Sequence, residues 1–194
     1  GDVAGTGVAS TLVMAFVKAS IIQLADLYTA PESLLLRIDH LLRSCSRGKQ
    51  RQFMSLQYVL IDSASGLVQA ASAGMCFPML LTPEKTCRQI ELPSIPLGAG
   101  SRPGIATAEI ALPSGSGLLL YTAGLYRNAE LGMARLSDVF CSVAHLPPDE
   151  FYLAVDQELA DFRGDTPCLD DQTLVVVKTT VNQPDSDAKR EVAC

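Results

Sequence analysis

The chain has 194 residues, 48% hydrophobic and 19% charged, a composition that fits one globular domain able to bury a sizeable core. Its net charge of −6, with no basic cluster and no Trp, gives no electrostatic reason to expect a nucleic-acid partner. The six cysteines, at positions 45, 76, 87, 141, 168 and 194, form no C-x-x-C pair; they read as small buried hydrophobes of a reduced, cytoplasmic protein and not as a disulfide scaffold.

The sequence opens with "GDVAGTG", an Asp followed by a glycine-rich turn. Residues 8–27 come next. They are apolar on nearly all sides, which predicts a helix covered on more than one face. Ser10, Thr11, Lys18, Ser20 and Gln23 interrupt this stretch, so it reads as a buried helix, and no membrane contact is expected within the segment. Thr29, Pro31 and Glu32 mark the start of a second helix with one apolar face, made by Leu34, Leu35, Ile38, Leu41 and Leu42. Residues 44–52, "SCSRGKQRQ", form a polar loop in which Arg47, Lys49 and Arg51 are solvated.

Residues 53–61, the turn 62–66 and residues 67–73 predict a β-hairpin. Further strands are expected at 78–82, 86–92, 106–112 and 117–122, a helix over 148–162 behind Pro147-Pro148, and a closing strand at 173–180. The tail 182–194 is polar and frayed. Strands paired through short turns, with helices grouped early and late, make the chain α+β.

Two places carry chemistry. Asp170 and Asp171 directly precede the β-branched run of the last strand, where they serve either an acidic turn or a metal ion. The glycines after Asp2 permit positive φ and close backbone approach, so that turn could cradle a phosphate at a helix N-terminus or hold a cation on Asp2. The P-loop lysine is missing, and no strand precedes the turn as a dinucleotide fingerprint requires. His40 and His145, with no cysteine at ligand spacing, give no zinc site. No G-x-S-x-G elbow is present for a hydrolase triad.

Five segments taken together resemble the metal-dependent protein phosphatases. The branch they resemble most is the stage II sporulation protein E type, bacterial serine/threonine phosphatases similar to eukaryotic phosphatase 2C. "GDVAGTG" is similar to that family's "G-D-V-S-G-H-G". Residues 53–81 are similar to its strand, turn and "N-A-G-H-P-P" strand. "LPSIPLGAG" (92–100) is similar to its "L-P-L-G" loop, residues 115–132 to "G-D-x-L-L-L-Y-T-D-G", and "DDQTLVVV" (170–177) to the closing "D-D-x-T-x-x-V".

The resemblance covers residues 1–180. It implies a β-sandwich of two antiparallel sheets flanked by helices, with a phosphatase domain over 1–181 and a tail over 182–194. It implies hydrolysis of phosphoserine or phosphothreonine on an anti-anti-sigma-like regulatory protein, within partner-switching control of sigma factors. A homodimer is compatible with it. The implied cofactor is a pair of Mn²⁺ or Mg²⁺ ions, partly occupied. The implied ligands are the Asp2 carboxylate, the Val3 carbonyl and Asp170, with Asp171 beside them; Asp2 and Asp170 are the implied catalytic residues.

Three departures accompany the match. Ala123 stands where the family's "Y-T-D-G" has a metal-ligating Asp. Thr6 and Met75-Cys76-Phe77 replace the family's His and "H-P-P". The strands and acidic motif that precede "G-D-V" in the family have no counterpart here, which implies numbering that starts partway through a longer polypeptide. Ala123 supports an alternative reading, a catalytically impaired relative acting as a binding module.

Overall fold

The computed structural model describes residues 1–45, 52–127, 133–164, 167 and 170–179. Most of the expected polar loop, including Arg47, Lys49 and Arg51, and the whole expected tail lie outside the described residues. In chain order the elements are β1 (Asp2–Val3), α1 (Val8–Leu24), α2 (Pro31–Cys45), β2 (Met54–Asp62), β3 (Leu67–Ala73), β4 (Met79–Leu81), β5 (Cys87–Gln89), β6 (Ala106–Ala111), β7 (Gly117–Tyr121), α3 (Gly124–Arg127), α4 (Met133–Ser142), α5 (Pro148–Arg163) and β8 (Leu174–Lys178).

The strands make two four-stranded sheets, ordered β1-β2-β3-β6 and β5-β4-β7-β8, with every pair antiparallel. The β2–β3 hairpin runs in register from Leu56↔Ala73 to Asp62↔Leu67. Its turn is closed by the Asp62 carboxylate, which accepts the Ala64 N–H at 2.9 Å and the Ser65 hydroxyl at 2.6 Å. This is the local side-chain-to-backbone bonding that lets Asp displace regular pairing at a turn.

Side chains alternate between the faces of each strand, and the core sorts into three layers accordingly. Between the sheets lie Val68, Ala70 and Ile110 from one and Leu80 and Leu118 from the other. On the outer face of the first sheet, Ala71, Ala73, Met54 and Leu56 meet α2 through Leu34, Leu35, Ile38 and Leu42. On the outer face of the second, Met79, Leu81, Leu119 and Tyr121 meet Leu136 and Phe140 of α4 and Phe151, Val155 and Leu159 of α5. The order is therefore helices, sheet, sheet, helices. The central strands are buried on both faces, which is why "MLL" and "LLLY" read as unbroken apolar runs in the sequence.

Two helical details differ from the sequence expectation. The α2 helix begins at Pro31 with Ala30 flanking it, the Leu34 N–H bonding to the Ala30 carbonyl at 3.2 Å, so Thr29 lies one residue too early to be the cap. The α1 helix is not covered on more than one face by the described residues. Only Val17 and Ser20 are fully buried, while Val8, Leu12 and Ile22 are exposed. Among the described elements it packs on α2 and the end of β1, and it forms the outermost layer.

The cysteine reading also needs correction. Cys45 is exposed and Cys76 only half-buried, so neither is a buried hydrophobe, and Cys87 on β5 and Cys141 on α4, 54 residues apart, sit side by side with Cα atoms 5.6 Å apart. Spacing along the chain carries no sign of a pair made by packing a helix on an edge strand.

Candidate active site

The site is built where β1 begins and where β7 and β8 meet. The glycines at 5 and 7 have φ of 90° and 85°, backbone that side chains disfavour. Through them the chain turns sharply from β1 into α1, and the Gly7 carbonyl accepts the Ser10 and Thr11 hydroxyls at 3.1 Å each. Asp2 is held by the pairing of β1 with β2, opposite Ser55.

The ends of β7 and β8 are locked together. The Thr122 N–H bonds to the Thr173 carbonyl at 3.1 Å, the Thr173 N–H to the Thr122 hydroxyl at 3.0 Å, and the Gln172 amide to the Gly124 carbonyl at 3.3 Å. A Cβ at Gly124 would lie 2.1 Å from the Asp171 carbonyl oxygen and 3.3 Å from the Asp170 Cβ. The acidic pair thus lies directly against the turn that contains Ala123.

These elements enclose a cavity of about 440 Å³ lined by Asp2, Thr6, Ala123, Asp170 and Asp171, with Thr122 and Thr173 among the remaining walls. A second cavity of about 210 Å³ adjoins it, sharing Asp2, Thr122 and Ala123 and adding Ser55, Gly74, Met75, Cys76 and Tyr126. Asp2, Ala123, Asp170 and Asp171 therefore all line one cavity. Val3 lines neither cavity; its side chain packs on the core beneath α1 and α2. Ser55, Gly74 and Tyr126 carry no chemical signature in the sequence and enter the site only through the fold.

Beneath the second cavity lies Tyr121, 3% exposed. Burial pushes its phenol up to about 12; the nearby Gln89 side chain opposes the shift without a well-formed hydrogen bond to the hydroxyl.

The lining suits a hard cation in kind. Carboxylate and hydroxyl oxygens dominate it, the donors that Mg²⁺ and Mn²⁺ prefer. It falls short in arrangement, even for one ion, because among the described residues no three acidic, His or Cys side chains converge as a ligand cluster.

Two antiparallel sheets between helical layers match the phosphatase 2C fold of solved structures. The RsbU and RsbW domains of Rv1364c from Mycobacterium tuberculosis match at 27% identity and a TM-score of 0.77, over 94% of this chain and 51% of that one. The SiaA-PP2C domain of Pseudomonas aeruginosa matches at 22% identity and a TM-score of 0.80, over 91% of this chain and 72% of that one. RsbX in complex with magnesium matches at 16% identity and a TM-score of 0.64, over 89% and 75%. The chain spans about half the length of the mycobacterial chain. The family model for stage II sporulation protein E matches residues 1–180, and the chain belongs to that family. No helix among the described residues is long and apolar enough to cross a membrane.

Proposed function

We propose that this domain hydrolyses phosphoserine or phosphothreonine on a small regulatory protein of the anti-anti-sigma kind, as part of partner-switching control. The observation that carries the reading is the cavity faced by Asp2, Asp170 and Asp171 in a chain of the sporulation E family. Asp2, with the Val3 carbonyl, and Asp170 would hold Mn²⁺ or Mg²⁺, with Asp171 beside them. Bound there, the ion would supply Lewis-acid polarisation of the phosphoryl oxygens and acidify a bound water. The chain's own part is placement. The pairing of Asp2 with Ser55 and the Thr122–Thr173 bonds support the reading, because they anchor the backbone on either side of the cavity these acids line.

One observation favours a second reading. Ala123 lines the same cavity and its side chain offers no ligand oxygen, so the domain would hold its ions weakly and act chiefly as a binding module for the phosphorylated partner. Assays of the chain with para-nitrophenyl phosphate and with phosphoserine peptides, each with and without Mn²⁺, separate the two. Mn²⁺-dependent turnover that Asp170→Ala abolishes supports the phosphatase. Phosphopeptide binding without turnover supports the binding module. Neither turnover nor phosphopeptide binding refutes both.

A further inference from the structure

The α2 helix reaches the site through a buried charged pair. Asp39 sits on the apolar side of α2 and is 2% exposed. Its Oδ1 accepts the Gly98 N–H at 2.7 Å, and its Oδ2 accepts Arg43 Nε at 2.5 Å. The Arg43 guanidinium then donates to the Ala99 carbonyl at 2.7 Å and the Gly100 carbonyl at 2.9 Å. One ion pair on one turn of helix thereby binds three consecutive residues of a loop some sixty positions further along the chain. Asp39 is buried while the Arg43 side chain is 26% exposed, and charge-assisted bonds are the stronger class.

The same loop touches both walls of the second cavity. On one side, Leu97 exchanges hydrogen bonds with Met54, at 2.8 and 3.0 Å. Met54 immediately precedes Ser55, which lines the cavity and pairs with Asp2. On the other side, the Ser94 hydroxyl accepts the Gly74 N–H at 2.9 Å, and Pro96 lies 2.7 Å from where a Gly74 side chain would begin. Gly74, Met75 and Cys76 form that wall. Each link is a direct contact, from α2 to the loop and from the loop to the two walls.

We infer that Asp39 and Arg43 are positioning residues: they clamp loop 94–100, and the clamped loop fixes the Gly74–Cys76 wall and the Ser55 side of the cavity. Neither residue touches the cavity itself. Anything that loosens Arg43 from the loop carbonyls loosens that wall, so the outer surface of α2 is coupled to the site. The coupling rests on the hydrogen bonds alone. Its catalytic consequence also rests on the proposed phosphatase reading.

Cys76 provides a readout that needs no activity. In the full chain, the alkylation rate of Cys76 by iodoacetamide at fixed pH, resolved by peptide mass spectrometry, reports how firmly the wall is held. Loss of one or two charge-assisted bonds shifts a local opening equilibrium by about five- to thirty-fold, so Arg43→Ala should speed Cys76 alkylation by that order. Arg43→Lys should restore part of the protection, and Arg37→Ala, on an exposed position of the same helix, should leave the rate unchanged. Ser94→Ala removes the bond to Gly74 without touching α2 and should also speed labelling.

Wild-type labelling in folded Arg43→Ala would overturn the inference whatever Ser94→Ala does, and Arg43→Gln decides if Arg43→Ala does not fold. Faster labelling with no turnover in the wild type would support the clamp while removing the phosphatase reading. If the wild type does turn over, kcat should fall across the variants in the order in which Cys76 becomes exposed.

Discussion

Two acidic turns close strands in this molecule, and they use their charge in opposite ways. At Asp62 the carboxylate is turned onto its own loop. It takes the Ala64 N–H and the Ser65 hydroxyl, and these bonds, the Ser65 hydroxyl first, hold its pKa below the usual value. At Asp170 and Asp171 the side chains line a cavity that also holds Asp2, and the loop is stabilised instead by Thr122, Thr173 and Gln172. The two turns differ in where the donors and acceptors that hold them lie. "DSASG" contains its own donors; "DDQT" relies on donors and acceptors from the next strand.

If that contrast is right, the largest effect should come from removing the cavity acids. Asp2→Ala or Asp170→Ala should lower Mn²⁺-dependent phosphatase activity by about 100-fold or more, while Asp62→Ala leaves it unchanged, as para-nitrophenyl phosphate kinetics would show. An equal loss from Asp62→Ala would erase the distinction. Next comes the missing oxygen. Ala123→Asp should tighten Mn²⁺ binding about tenfold, because hard ions are held by carboxylate number; calorimetry of both proteins checks this, and equal affinity would mean that position 123 does not serve the ion.

A third test addresses the locked turn. Gly124→Ala places a carbon against the Asp171 carbonyl, and the forced shift should cost about 1–3 kcal/mol, read by urea denaturation. The smallest effect belongs to Asp62. Its folded pKa lies below the ordinary value of 3.8, so its ionised form stabilises the fold above that value and the benefit fades as pH falls through the folded pKa. The melting-temperature gap between wild type and Asp62→Ala should therefore narrow from pH 7 to pH 3, and a gap that widened on acidification would contradict the assignment.

Much of this fold could be read from the sequence, for identifiable reasons. The β2–β3 hairpin carries β-rich strands on either side of a self-bonded Asp turn, and both signals are local. The strands β4 and β7 are apolar runs because two layers cover them, whereas β8 is an edge strand with Val175 exposed. What escaped the reading was short or non-local. A two-residue β1 shows no periodicity, and the ten-residue α4 has Leu136, Val139 and Phe140 on its buried face but no cap to announce it. The Cys87–Cys141 pair and the grip of Asp39 on Gly98 join positions more than fifty residues apart. A single clue to the latter was available, an Asp on the apolar face of α2 four residues before an Arg. The acids that face the cavity were visible because they stand at strand ends within recognisable motifs, whereas Ser55, Gly74 and Tyr126 have no such mark.

The adjacent positions 123 and 124 differ in what the fold demands of them. Gly124 is fixed by contact with the acidic turn, whereas Ala123 lines both cavities and is only half-buried. Alanine and aspartate codons can differ by a single base. A lineage carrying this domain could therefore shed or regain an ion ligand at position 123 without passing through a misfolded ancestor. Selection on folding would not register the change, and only selection on the signalling output would hold the residue in place.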